Sequence, residues 1–426
     1  MRVRNRRQSR SIASKINSIT DRQERIPGWR QDRLAEGRAL ILGAGALGNE
    51  VVKNLALMGL GYMMVADLDF IEQSNLSRAV LFRKSDARQR QRKAETVAKR
   101  ARAMNVFSSA FVQPFHGDIV WQLGQGVFRR VDVVLGCLDN IEARMAANRA
   151  CLLSGTPYID GGILGLAGNV TAVHPPSTPC WECTTGAVER NHSADRYDSC
   201  SKVMRLDIEA GRLPAVQIAS SIIAGFQTEE AVKVILGQPW AAGFMVQWNG
   251  GGSRPDLDVV RVSRRPGCWC GKARQPDRIV ELPLSARTCT LNSLFQELAR
   301  SVSFDTLVHL PASFILSRHC YACHRTDPIM RPSFMLNTSV LICPACGAGA
   351  DQVKLCPVES ISLVSAAIDE LQAQMLEMTL MDIGFAPLGL IAVSPQCDDP
   401  SKDLVVELSS DAVSVMGVER FANVRR

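Results

Sequence analysis

Two sets of paired cysteines and one glycine turn carry most of the chemistry legible in this chain. Cys320-Tyr-Ala-Cys323 and Cys343-Pro-Ala-Cys346 are separated by nineteen residues. That spacing lets four thiolates converge on one tetrahedral ion, as in a zinc ribbon. His319 and His324 flank the first pair and could enter the ligand set. Cys180-x-x-Cys183 and Cys268-Trp269-Cys270 form a second set, the latter pair one residue tighter than the usual knuckle. Four thiolates leave no open coordination position, so both sets read as structural zinc sites. Gly43-Ala44-Gly45-Ala46-Leu47-Gly48 fits G-x-G-x-x-G directly after the apolar run ALIL. Glycines there let the backbone turn tightly and approach phosphates, which then sit at the positive end of the following helix. Asp67 closes the next apolar run, where a carboxylate can bond a ribose. Alone, this turn serves a nicotinamide or flavin as readily as ATP.

These groups need a scaffold, and the surrounding pattern predicts one. From Arg38 to about Gly237 short apolar runs alternate with helical periodicity: ALILGAG, then LGNEVVKNLALMGL, YMMVADLD, RQRKAETVAKRARAM, VDVVLGCLDN and IEARMAANRACLLSG. Alternation of this kind implies an α/β fold, a mainly parallel sheet with helices on both faces. Residues 214–236 read as one long helix with Pro214 near its first turn. Beyond about Pro276 the pattern changes to a smaller α+β domain. We therefore expect a basic arm over 1–37, an α/β domain over 38–276, and a C-terminal domain over 277–426 whose ribbon occupies about 318–348. At 426 residues there is ample length for such a division.

Composition narrows the setting. The chain is 46% hydrophobic and 21% charged, with a net charge of +7. No apolar run approaches the roughly 20 residues that span a bilayer. The basic start MRVRNRRQSR precedes no apolar segment, so it does not read as a secretory signal. A solvated arm is expected there in preference to a nucleic-acid contact. Fourteen cysteines without a signal point to thiolate metal sites and a reactive thiol in a reducing, cytoplasmic setting, with no membrane role.

Several ordered motifs then carry a specific resemblance. Asp67-Leu-Asp69-Phe-Ile-Glu-Gln-Ser74-Asn75-Leu76-Ser77-Arg78 resembles the D-x-D…S-N-L-x-R segment of the ThiF/MoeB/E1 family. Lys93 follows as that family's nucleotide lysine does. Cys137-Leu138-Asp139-Asn140, with Arg144 one turn on, resembles its C-x-D-N…R segment. Gly161-Gly162, Gly168-Asn-Val-Thr-Ala-Val and Cys180-Trp-Glu-Cys183 continue the family's order over roughly residues 20–270. The resemblance implies a Rossmann-like adenylation domain using ATP and Mg²⁺. It implies that Asp67 takes the ribose, Ser74 to Arg78 line the nucleotide, Lys93 meets phosphate, and Asp139 with Asn140 completes the site. The family's usual glycine at position 46 is alanine here. Physically, carboxylate attack on the α-phosphate needs cations such as Arg78 and Lys93 and a metal-holding carboxylate such as Asp139.

By the same resemblance, Asp21-Arg22-Gln23 matches the segment whose arginine reaches a neighbouring subunit's nucleotide site, which implies a homodimer. Asp198-Ser199-Cys200 precedes the helix bearing Gln227, Glu229, Glu230, Ala231 and Lys233, so Cys200 takes the place of the catalytic thiol. Arg196, Lys202 and Arg205 near it would favour thiolate. The expected partner is a ubiquitin-like or sulfur-carrier protein ending in glycine, activated for transfer to an E2-like protein. A sulfur-carrier adenylyltransferase that stops at the adenylate is the alternative, disfavoured because no rhodanese-like segment is found. A nicotinamide-dependent oxidoreductase and a scaffold without activity are remoter readings.

Overall fold

A computed structural model describes residues 19–185, 215–271, 279–302, 305–362, 370–395 and 404–424. The chain separates into two units. The first takes residues up to 119 together with 130–274, and the second takes 120–129 together with 275–424.

The first unit is built on an eight-stranded sheet of order β3-β2-β1-β4-β5-β6-β7-β8. Its elements run β1 (Arg38–Leu42), α1 (Ala46–Leu57), β2 (Tyr62–Asp67), α2 (Lys93–Met104), β3 (Phe111–His116), β4 (Val133–Gly136) and α3 (Ile141–Ser154). They continue with β5 (Tyr158–Leu164), β6 (Ala167–Val173), α4 (Gln217–Leu236), β7 (Phe244–Asn249) and β8 (Asp256–Arg261). Strands β3 to β5 pair in parallel, and β5 to β8 pair antiparallel. The central strands are apolar along their length because both faces are covered: every residue of β2 and β4 is buried. Helix α3 ends at Gly155, whose φ of 73° is the left-handed conformation a helix stop favours.

The stretch expected as a solvated arm docks on the first unit at a few positions, although most of residues 19–37 stay exposed. Leu34 is fully buried in the core of the first unit. Gln23 and Gln31 both donate to the Met58 carbonyl at the end of α1. A single leucine among charged neighbours is too weak a periodic signal to announce this docking.

In the second unit, β9 (Ile279–Leu282), β10 (Thr306–Cys320), β11 (Thr326–Pro332), β12 (Val353–Ile361), β13 (Leu390–Pro395) and β14 (Leu404–Leu408) form a six-stranded sheet, with α5 (Leu291–Ser301) between β9 and β10 in the chain. Its order is β11-β10-β13-β14-β9, with β12 also paired to β10. Residues 120–129 belong to this unit. Arg129 pairs with the fully buried Glu407, Gly126 N–H donates to the Leu388 carbonyl at 2.9 Å, and Trp121 stacks on Phe334. Nothing in the sequence separates this segment from the α/β pattern around it.

Candidate active site

The order 3-2-1-4 makes the space between β1 and β4 the point where the sheet's winding reverses. In open parallel sheets, ligands bind outside the carboxyl ends of the strands at that point. The three loops bearing the sequence-expected residues all leave that edge, because Leu42 pairs with Ala66 on one side and Gly136 on the other.

The glycine turn joins β1 to α1, and its three glycines differ in what they require. Gly43 has φ of +98°, and a Cβ there would lie 2.3 Å from the Cys137 carbonyl oxygen. A Cβ on Gly48 would lie 2.0 Å from the Gly43 carbonyl oxygen. Both are therefore demanded by internal packing. A Cβ on Gly45 meets nothing within 4 Å. Its absence opens the backbone at the start of α1, where N–H groups and the helix dipole favour an anion. Ala46 opens α1 beside it.

Asp67 ends β2 and holds this turn. Its carboxylate accepts from Ala44 N–H and Asp69 N–H, each at 2.7 Å. Burial pushes its carboxyl above the usual aspartate range, although Lys93 and the two amides oppose the shift. Lys93 is brought to the same place by backbone pairing. Ile71 N–H donates to the Gln91 carbonyl and Lys93 N–H to the Asp69 carbonyl. Its ammonium lies 2.8 Å from the Asp69 carboxylate. Burial alone would lower the lysine's pKa, but Asp67, Asp69 and Asp139 together hold it above the ordinary value. Lys93 thus remains a cation, paired directly with Asp69 and favoured by the charges of Asp67 and Asp139.

A short 3-10 helix, Gln73–Ser77, follows Asp67 in the same loop and is capped at its end by Arg78. Arg78 donates to the Ser74 carbonyl at 2.9 Å, and the Asn75 side chain accepts from Glu72 N–H at 3.0 Å. Leu76 anchors the turn against the core, and Ser74 and Ser77 are exposed. Across the switch point, Asn140 caps α3 by accepting from Ala143 N–H at 2.8 Å, and Asp139 is exposed. Gln227, read from sequence only as part of a motif, is fully buried. It donates to the carbonyls of Gly136 and Ile159 at 2.9 and 3.0 Å, bracing β4 against β5. A cavity of about 550 Å³ opens on the antiparallel half of the same sheet. Arg144, Gly162, Asn169, Gln247, Asp256 and Asp258 are among its lining residues.

Arg22 is placed elsewhere. It is exposed on the turn Asp21–Glu24, beside Met58 at the far end of α1 from the glycine turn. Twelve helical residues span about 18 Å, beyond an arginine's reach, so Arg22 cannot serve this chain's own nucleotide turn. Cys200, with Arg196, Lys202 and Arg205, lies outside the described residues, as does Pro214.

All eight paired cysteines fall into two four-sulfur groups, in each of which the Sγ atoms lie within 4.8 Å of one another. Cys180 Sγ stands 3.9 Å from Cys183 and 3.7 Å from Cys268, and Cys183 is 3.6 Å from Cys270. In the second group Cys320–Cys346 and Cys323–Cys343 are each 3.7 Å apart. Four sulfurs at about 2.3 Å from a tetrahedral ion lie about 3.8 Å from each other. Both groups fit that figure, and the one-residue gap between Cys268 and Cys270 does not prevent it. His319 instead contacts Thr326 at 2.8 Å.

The model of the ThiF family matches residues 14–270 of this chain. The chain belongs to the ThiF family. Among curated relatives, SUMO-activating enzyme subunit 2 of Dictyostelium discoideum is 36% identical over 37% of this chain and 24% of its own length. The sulfur carrier protein ThiS adenylyltransferase of Bacillus subtilis is 33% identical over 37% of this chain and 46% of its own. The adenylyltransferase and sulfurtransferase MOCS3 of Bos taurus is 30% identical over 57% of this chain and 50% of its own. This ThiF-family chain thus matches half or less of those relatives. Among solved structures, Escherichia coli MccB with succinimide superposes with a TM-score of 0.46 at 21% identity, over 56% of this chain and 68% of that one. Among the described residues no helix is long and apolar enough to cross a membrane.

Proposed function

We propose that this chain is an E1-type activating enzyme for a ubiquitin-like or sulfur-carrier protein that ends in glycine. The terminal carboxylate attacks the α-phosphorus of ATP, a P–O bond to the carboxylate forms, the bond to the β-phosphate bridge breaks, and pyrophosphate leaves. The observation that carries this reading is the grouping of Lys93, Asp67, Asp69 and Asp139 at the carboxyl edge of the sheet, beside a glycine turn open at Gly45. A hydride-transfer site has no use for such a charge cluster. A triphosphate and a metal do.

Asp67 takes the ribose edge, Ser74 to Arg78 border the nucleotide, Lys93 neutralises phosphate, and Asn140 fixes the loop that presents Asp139. Magnesium held through Asp139 would spread the charge that develops on the phosphates. The carrier's terminal residues enter along the cavity beside Arg144. Arg22, remote from its own chain's turn, serves the nucleotide of a second copy, which makes the active form a homodimer. Zinc occupies both four-cysteine groups and stabilises the fold around each.

Cys200 then attacks the acyl carbon. A C–S bond forms, AMP leaves with the electron pair of the C–O bond, and the thioester passes to an E2-like protein. Cytoplasmic residence follows from the free thiols this chemistry needs. The test is ATP–pyrophosphate exchange by the full chain with a ubiquitin-like protein ending in glycine. Exchange is expected to need both ATP and that glycine terminus. A carrier that binds and supports no exchange overturns the proposal.

A further inference from the structure

Asp139 itself makes little direct contact with the fold. It is exposed, and its carboxylate accepts a long bond from the Asn140 side chain at 3.5 Å. The residues on either side are fixed. Asn140 caps α3, and the Leu138 carbonyl receives Arg144 Nη2 at 2.5 Å. The same nitrogen donates to the Gly161 carbonyl at 3.1 Å, while Nη1 pairs with Asp160. Asp160 is fully buried and also accepts from the Tyr158 hydroxyl at 2.8 Å. Burial pushes its carboxyl up, and Arg144 is the cation that opposes this. One guanidinium therefore ties the Asp139 loop to one carboxylate and one carbonyl on β5.

The helix carrying Arg144 is held one turn further on as well. Asn148, one turn on, donates to Glu182 at 3.2 Å and accepts from Trp181 N–H at 3.0 Å. Arg149 donates to the same Glu182 at 3.0 Å, and the Arg144 guanidinium lies 5.9 Å from the Trp181 ring. Trp181 and Glu182 sit between Cys180 and Cys183. Helix α3 is thus a strut between a four-cysteine group and the loop of Asp139.

We propose that Arg144 is a positioning residue that sets the Asp139 carboxylate for the metal of the nucleotide complex. The inference rests on the proposed nucleotide site. A planar fork is required because one side chain must reach a carboxylate and two carbonyls at once, which a lysine cannot do. The role differs from mere stability in what it changes. Loss of Arg144 frees the loop and weakens the metal, while the glycine turn and Lys93 still receive the triphosphate.

ATP binding to the full chain, titrated against Mg²⁺, tests this without any carrier protein. Arg144→Met is expected to leave metal-free ATP binding unchanged and to raise the half-saturating Mg²⁺ concentration by about tenfold or more, the usual cost of losing a residue that orients a ligand. Arg144→Lys is expected to fall between the two, and provides the reading if the methionine variant does not fold. In the Asp139→Asn background Arg144→Met should add no further Mg²⁺ defect, since both changes remove one interaction. A lowered melting temperature with the wild-type Mg²⁺ profile, or additive defects in the double variant, overturns the positioning role. A wild-type chain that binds no ATP under any condition overturns the nucleotide reading itself.

Discussion

Lys93 Nζ lies 2.8 Å from Asp69 Oδ2, and the lysine that should meet phosphate is thereby already paired with a carboxylate. With Asp67 and Asp139 also acting on it, the lysine's charge is already offset by acidic neighbours before any ligand arrives. A bare triphosphate is therefore opposed, and an accompanying metal relieves the repulsion. Asp69→Asn should tighten metal-free ATP binding by about fivefold, the effect of removing about 1 kcal/mol of like-charge repulsion in a wet site. It should not tighten binding at saturating Mg²⁺. Calorimetric titration with and without Mg²⁺ reads both. Weaker metal-free binding would show that the pair is not the obstacle described.

Because its pKa is raised, the lysine's charge-dependent contribution is complete below the unfolded value of about 10.4 and is lost only as pH rises through the higher folded value. Mg²⁺-dependent ATP affinity should accordingly show no loss attributable to Lys93 between pH 7 and roughly pH 10. A transition near pH 8 that disappears in Lys93→Ala would contradict the assignment.

The glycine turn allows a sharp separation of fold from function. Gly43→Ala and Gly48→Ala place a methyl group against backbone oxygens at 2.3 and 2.0 Å, so both should lose stability by about 2–4 kcal/mol. Gly45→Ala meets nothing in the protein and should melt within about 1 kcal/mol of wild type. It should nonetheless bind ATP about tenfold more weakly or worse, because the methyl group occupies the phosphate approach. Unchanged ATP binding by Gly45→Ala would remove the phosphates from this turn.

The two four-cysteine groups predict about two zinc ions per chain. Cys320→Ser should lose one and lower the stability of the second unit while adenylation survives. Elemental analysis with thermal melting measures this. One zinc or none in native protein would contradict at least one group.

Much of this was legible in advance, and the exceptions share a cause. The turn at Gly43 to Gly48, the strand end at Asp67 and the loop at Asp139 are local: a few consecutive residues fix each backbone. The docking of Leu34, the capture of residues 120–129 by Glu407 and Leu388, and the brace of Gln227 between β4 and β5 are contacts between distant segments. No local pattern encodes them. Arg144 was visible as part of a motif, but its fork onto Leu138, Asp160 and Gly161 depends on β4 and β5 being neighbours.

Cys200 separates the two half-reactions. Adenylation needs only the nucleotide group and the incoming carboxylate, while the thioester needs a thiolate. Cys200→Ala should keep pyrophosphate exchange and lose a reducible adduct with the carrier on non-reducing gels. Cys200→Ser should give a slower adduct that resists thiols. A reducible adduct in the alanine variant assigns the nucleophile to another cysteine, and no adduct in wild type leaves an enzyme that stops at the adenylate.

The central claim is adenylation at the Lys93–Asp139 edge of the sheet, and ATP–pyrophosphate exchange with a glycine-terminated ubiquitin-like protein measures it most directly. Wild type should exchange in the presence of Mg²⁺. Lys93→Ala and Asp139→Ala, with folds verified by melting, should each lose about a hundredfold or more, corresponding to about 3 kcal/mol for one phosphate or metal contact. Near-wild-type exchange in either folded variant would contradict the account.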